Sequence, residues 1–190
     1  MLHRKALELF KESKDICFIM AVVERLSLPE LCLTAGTLRN YLWDRLSGHE
    51  GVLRSDVDLV YYNPDSSYEE ALLVEKHLQE KYPQYHWEVR NQAFMHQHNA
   101  PNEKAFQSVF DAIAHYPEKC TSLALYVEQK GWKLFAPYGL EDVFRFEIHP
   151  TPYFASREDL FQIYLKRQSE KKWQKIWPQI KIYGKENTDV

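Results

Sequence analysis

Apolar positions along the chain recur with a spacing near four in some stretches and near two in others, and each change of spacing marks a boundary between elements. From about Leu2 to Leu26, Leu2, Ala6, Leu9, Phe10, Ile16, Cys17, Met20 and Val23 stand among charges, which predicts one long amphipathic helix or two consecutive ones. Pro29 breaks that pattern, and the run Leu31 to Ala35 predicts a strand. Leu38, Tyr41, Leu42, Trp43 and Leu46 then repeat at helical spacing, so Gly36 falls in a tight turn between strand and helix. Val57, Leu59, Val60 and Tyr61 predict a second strand, and Ser66-Ser67-Tyr68-Glu69 reads as a capping box opening a helix to about Tyr82.

Tyr85 to Ala93 alternates, with Trp87, Val89 and Asn91 on one face and Glu88, Arg90 and Gln92 on the other, so a third strand is expected there. Phe94 to Asn102 reads as a polar loop, Ala105 to Tyr116 as an amphipathic helix, and Ser122–Val127 with Trp132–Ala136 as a hairpin around Lys130-Gly131. Leu140, Val143, Phe144 and Phe146 predict a short helix, and Ser156-Arg157-Glu158-Asp159 opens a last one running to about Lys175. Strands interleaved with helices predict an α/β (α+β) fold, a mixed β-sheet flanked by helices, in a single domain over residues 1–190.

Composition changes this picture only slightly. At 190 residues, 45% hydrophobic and 27% charged, the chain suits one substantial core and is short for two. A net charge of −3 gives no overall attraction to nucleic acid or an acidic membrane, so neither is favoured as a partner. Cys17, Cys32 and Cys120 lie far apart in apolar surroundings, as buried reduced thiols of a cytoplasmic protein would, and no stretch reads as a signal sequence or membrane span. Near the C-terminus Lys166, Arg167, Lys171, Lys172 and Lys175 interleave with Trp173 and Trp177; such a set can hold a polyphosphate or a nucleic-acid strand, but the acidic balance of the chain favours a solvated basic face with tryptophans packed on the core.

The chemistry concentrates in two places. Gly36 lets backbone approach a ligand closely, Thr37 offers a hydroxyl, and the helix start beyond them presents free amides with partial positive charge, an end that suits a nucleotide phosphate. Asp56 and Asp58 sit two apart in an otherwise apolar strand, so both carboxylates are expected on one face. Paired like charges there need a cation between them, and carboxylate oxygens suit a hard divalent ion such as magnesium. His96 and His98 lack a third ligand with zinc spacing; His96 could touch a phosphate or base, or simply belong to a hydrogen-bonding loop.

A glycine turn opening a helix, followed by an Asp-x-Asp strand, resembles the core of the polymerase-β-type nucleotidyltransferase superfamily. More closely, Ala35-Gly36-x-x-Arg39-Asn40, Asp56-Val57-Asp58-Leu59-Val60-Tyr61-Tyr62, Trp87 to Met95-His96, Ala136-Pro137-x-Gly139-Leu140 and Lys172-Trp173 to Trp177-Pro178 are similar to an uncharacterised bacterial nucleotidyltransferase-like family, over about Ala35 to Pro178. The resemblance implies the fold and a metal site formed by Asp56, Asp58 and a third carboxylate on a later strand, for which Glu88 is the candidate; its alternative is a glutamate paired with Arg90. Arg39 would then steady the β and γ phosphates beside Gly36 and Thr37, or else pair with a core carboxylate. The expected activity is magnesium-dependent transfer of a nucleoside monophosphate from an NTP to a small-molecule or protein acceptor. The rival reading is a non-catalytic nucleotide-binding or regulatory protein that keeps the fold.

Overall fold

A computed structural model describes residues 1–96, 104–129 and 131–185. The N-terminal amphipathic stretch is two helices, α1 (Leu2–Glu12) and α2 (Lys14–Arg25). Ser13 separates them because its hydroxyl accepts the Ile16 amide at 3.2 Å and so caps α2. The chain continues through β1 (Cys32–Thr34), α3 (Ala35–Leu46), β2 (Val57–Tyr61), α4 (Tyr68–Lys81) and β3 (Trp87–Asn91). It then forms α5 (Val109–Ala114), β4 (Ala124–Glu128), β5 (Gly131–Phe135), α6 (Glu141–Arg145), β6 (Glu147–Ile148), α7 (Pro152–Ser156), α8 (Glu158–Lys171) and β7 (Lys181–Ile182). No helix among these residues is long and apolar enough to cross a membrane.

Five strands form one mixed sheet in the order β3-β2-β1-β4-β5, with β2 and β3 parallel and the other neighbours antiparallel. The parallel pair is joined by α4, as a parallel connection requires. One face carries Leu33, Val57, Leu59, Tyr61, Trp87, Val89 and Leu125, which join residues of α1, α2, α3 and α8 in the main core. Cys32, Val60 and Ala124 point the other way into a smaller cluster closed by Val109 and Ile113 of α5. Because α5 is short, it covers only part of that face, and the strand ends carrying the acidic residues stay open.

Several boundaries differ from the sequence reading. The helix expected from Ala105 begins only at Val109, where the Ser108 hydroxyl accepts the Asp111 amide at 3.0 Å. The cap of α4 is Ser67 rather than Ser66, whose hydroxyl instead donates to Glu70 at 2.7 Å. The last helix, α8, stops at Lys171 rather than near Lys175 because Lys172 adopts a left-handed conformation with φ of 50°, and a separate short helix that the sequence did not announce, α7, capped by Thr151 ahead of Pro152, precedes it. The two-stranded sheet of β6 and β7 had no alternation long enough to announce it. Of the polar loop, His98 and its neighbours to Asn102 lie outside the described residues, as does Lys130 in the β4–β5 turn. All three cysteines are free, Cys32 and Cys120 fully buried, and burial pushes both thiols up to about 12.

Candidate active site

The turn between β1 and α3 is built from small residues held against β4. Thr34 donates its hydroxyl to the Leu123 carbonyl at 2.6 Å, and the Ala35 amide donates to the same oxygen at 3.3 Å. Ala35 adopts φ of 56°, a left-handed conformation costly to a residue with a Cβ and frequent where a functional turn is over-determined by its surroundings. Gly36 follows directly beneath the acidic strand. A Cβ there would lie 3.3 Å from Ser55 Oγ and 3.6 Å from Asp58 Oδ2, so the missing side chain keeps open a cradle between helix start and carboxylate. Ser55 Oγ is buried beside that cradle with no hydrogen-bond partner among the described residues.

Thr37, expected at the nucleotide, is 1% exposed and its hydroxyl is engaged inside the protein. It donates to the Asp56 carbonyl at 2.8 Å and accepts the Asp58 amide at 3.0 Å, which ties the first turn of α3 to the entry of β2. This residue therefore sets where the acidic strand sits relative to the Gly36 turn.

Asp58 of β2 and Glu88 of β3 are register partners on adjacent parallel strands, so their side chains emerge side by side on one face. Asp56 precedes β2 rather than lying in it, yet opens onto the same cleft. Burial, reinforced by the neighbouring charges of Glu88 and Asp56, pushes the Asp58 carboxyl up to about 7, against the opposing pull of Arg39 and a hydrogen bond from Thr37. Asp56 instead leans on His86, its Oδ1 being 2.9 Å from Nδ1, and Glu88 Oε1 lies 3.4 Å from Arg90 Nε. The three carboxyls share a cleft, but they do not form a set with ligand atoms within 4.8 Å of one another. Asp56 and Glu88 turn instead toward His86 and Arg90. Glu88 thus faces the cleft and also pairs with Arg90.

The carboxylates stand where two pockets meet. One, of about 170 Å³, runs beneath α5 between Arg90, Gln92, Phe106, His115 and Tyr116. The Tyr116 hydroxyl is raised by burial first and by Asp58 next, so it sits close to the acidic group. The other, of about 400 Å³, is bordered by Gly36, Ser55 and the basic side chains Arg39, Arg54, Arg167 and Lys171.

Arg39 is 3% exposed at the back of this second pocket. Its guanidinium lies 4.9 Å from the Trp43 ring and 4.3 Å from the Trp173 ring, and it donates to Asn40 Oδ1 at 2.9 Å and to Thr121 Oγ1. The core carboxylate considered as its partner is not found: among the described residues none comes within ion-pair distance of it. His96 follows the 3-10 turn Gln92–Phe94, near Phe106 at 6.4 Å between rings, and lines neither pocket. Trp173 and Trp177 are buried as the sequence suggested, whereas Arg167 and Lys171 turn to the cleft instead of forming only a solvated face.

Asp142, Glu147 and His149 do bring one ligand atom each within 4.8 Å, at a place that lines neither pocket. His149 Nδ1 is 3.1 Å from Asp142 Oδ2 and its ring stacks on Tyr183 at 4.2 Å.

Residues 21–182 match a family model described as Nucleotidyltransferase. A solved structure described with the words "The NMR structure of the protein reveals a CCA-adding enzyme head domain" is 40% identical, with 95% of each chain covered and a TM-score of 0.88. No curated protein matches.

Proposed function

Because the chain belongs to the nucleotidyltransferase family, we propose that this cleft moves a nucleoside monophosphate from an NTP to a small-molecule or protein acceptor, with a divalent cation, magnesium by preference, as cofactor. The observation that carries the reading is the Asp58–Glu88 pair, with Asp58 over the Gly36 cradle and its carboxyl pushed up to about 7 by burial and then by the charges of Glu88 and Asp56. Such a donor set fits a hard cation, and Asp56, Asp58 and Glu88 would hold it. When bound, that ion supplies charge neutralisation on phosphate oxygens and acidifies the acceptor hydroxyl.

The chain's own residues do the remaining work. The Gly36 turn gives phosphate oxygens access to the amides that open α3, since nothing projects from it. Thr37 holds the Asp58 backbone at a fixed distance from those amides, so phosphate and carboxylate are positioned by one rigid connection. Pyrophosphate is the leaving group. The acceptor would enter from the pocket under α5, where Asp58 and Glu88 are reached without crossing the basic wall.

The separation of the three carboxyls, with Asp56 on His86 and Glu88 on Arg90, favours the second reading, a nucleotide-binding protein without turnover. Magnesium-dependent pyrophosphate release, measured over the four NTPs with small-molecule and protein acceptors, separates the two. Release that disappears in Asp58→Asn supports transfer. Nucleotide binding that is indifferent to magnesium, with no release from any combination, would sink it.

A further inference from the structure

Two arginines in the cleft are each fastened to a carboxylate that no solvent reaches. Arg54, in the loop ahead of Asp56, donates from Nε to Asp44 Oδ2 at 2.7 Å, and Asp44 is completely buried and also accepts the Trp177 indole N–H at 3.0 Å. Arg167 of α8 donates from Nε to Glu118 Oε1 at 2.9 Å and from a terminal nitrogen to Oε2 at 3.5 Å, and Glu118 is likewise completely buried and accepts the Gln168 amide at 3.1 Å. The two side chains remain 35% and 32% exposed, both on the cleft that holds Asp56, Asp58 and Glu88. Lys171 stands one helical turn beyond Arg167 on the same face of α8 and has no acidic partner among the described residues.

Nε of each arginine is taken by its carboxylate and one terminal nitrogen of Arg167 makes a longer 3.5 Å contact with Glu118 Oε2, so the remaining terminal N–H groups can meet an oxyanion, and fixing the guanidinium beforehand removes much of the entropy cost of binding. Behind them Arg39 is buried without a carboxylate of its own, and its protonation is opposed first by burial and also by Arg167. Asp44 and Glu118 offset two of these four cations, so this wall carries excess positive charge facing an acidic wall. An anion with several adjacent phosphates satisfies that arrangement, and one phosphate would reach only part of it.

We propose that Arg54, Arg167 and Lys171 clamp the β and γ phosphates of the donor, with Asp44 and Glu118 as the positioning residues that aim the two arginines. This rests on the transfer reading for the identity of the ligand as a nucleoside triphosphate. It is tested by binding of tripolyphosphate, pyrophosphate and orthophosphate to the whole chain with magnesium present, measured by calorimetry in the wild type and in Arg54→Met, Arg167→Met and Arg167→Lys. Tripolyphosphate should bind at least about tenfold more tightly than orthophosphate. Each Met variant should weaken it by roughly tenfold, as loss of one charged hydrogen-bonded contact does. Arg167→Lys should recover less than half of the loss, because lysine keeps the charge without the fork.

Tripolyphosphate affinity unchanged in two folded Met variants overturns the clamp, and so does an oligonucleotide without a terminal triphosphate binding with the same dependence on Arg167. Failure of the transfer reading looks different: polyphosphate binds through the arginines, but no NTP releases pyrophosphate. Conversely, turnover with an unchanged KM for NTP in both Met variants leaves transfer standing and removes the clamp.

Discussion

The charge on Asp58 is stored against the fold, and its removal should make the metal-free protein more stable. In the folded chain this carboxyl titrates at about 7, and its ordinary value is 3.8. The folded-state value is the higher one, so the group favours folding most below pH 4, and that contribution is lost as pH rises through about 7. Over the full range the loss is about 4 kcal/mol, taking about 1.4 kcal/mol for each tenfold change. Asp58→Asn keeps the shape and removes the charge, so in a chelator at pH 8.5 the variant should exceed the wild type by up to about 4 kcal/mol. For a domain of this size that is on the order of 10 °C in Tm. At pH 5.5, where the wild-type carboxyl is already mostly protonated in the folded state, the advantage should fall to about 2 kcal/mol. Urea denaturation at both pH values, with m-values compared, measures it. A variant less stable than the wild type at pH 8.5, or an advantage independent of pH, would refute the view that Asp58 is an uncompensated buried charge awaiting a cation.

Gly36→Val should weaken nucleotide binding at least about tenfold by filling the cradle between Ser55 Oγ and Asp58 Oδ2, while Tm moves by only a few degrees because φ at Gly36 is not left-handed; equal affinity in a folded variant, by fluorescence titration, removes the turn from the site. Trp177→Phe should cost about 1.5–3 kcal/mol in denaturant unfolding, since it withdraws one donor from the fully buried Asp44 carboxylate, and unchanged stability would contradict it.

The order of the elements from α1 to α6 and the placing of Asp58 and Glu88 on strands are local properties, and the sequence alone determined them. Alternation at Trp87, Val89 and Asn91 fixed which face of β3 is buried and therefore that Glu88 and Arg90 face the other way. The Gly36 turn was legible because a glycine between an apolar run and a helical repeat admits few structures. Boundaries were less legible where a cap competed with a neighbour, as at Ser66 and Ser67, or where the true helix start lay inside the amphipathic stretch, as at Ser108.

What only the tertiary structure decided is how distant residues meet. Parallel register sets Asp58 beside Glu88, a pairing 30 positions apart that no local period encodes. The Thr37 hydroxyl is consumed by the backbone of β2 because the two elements pack together, so a residue typed for a ligand became a brace. Arg167 and Lys171 read as solvated charges, since nothing in their own stretch reveals Glu118, which lies 49 positions from Arg167 in sequence and 2.9 Å away in space. Buried ion pairs depend on chain closure, and hydrophobic periodicity reports only which face of each element turns inward.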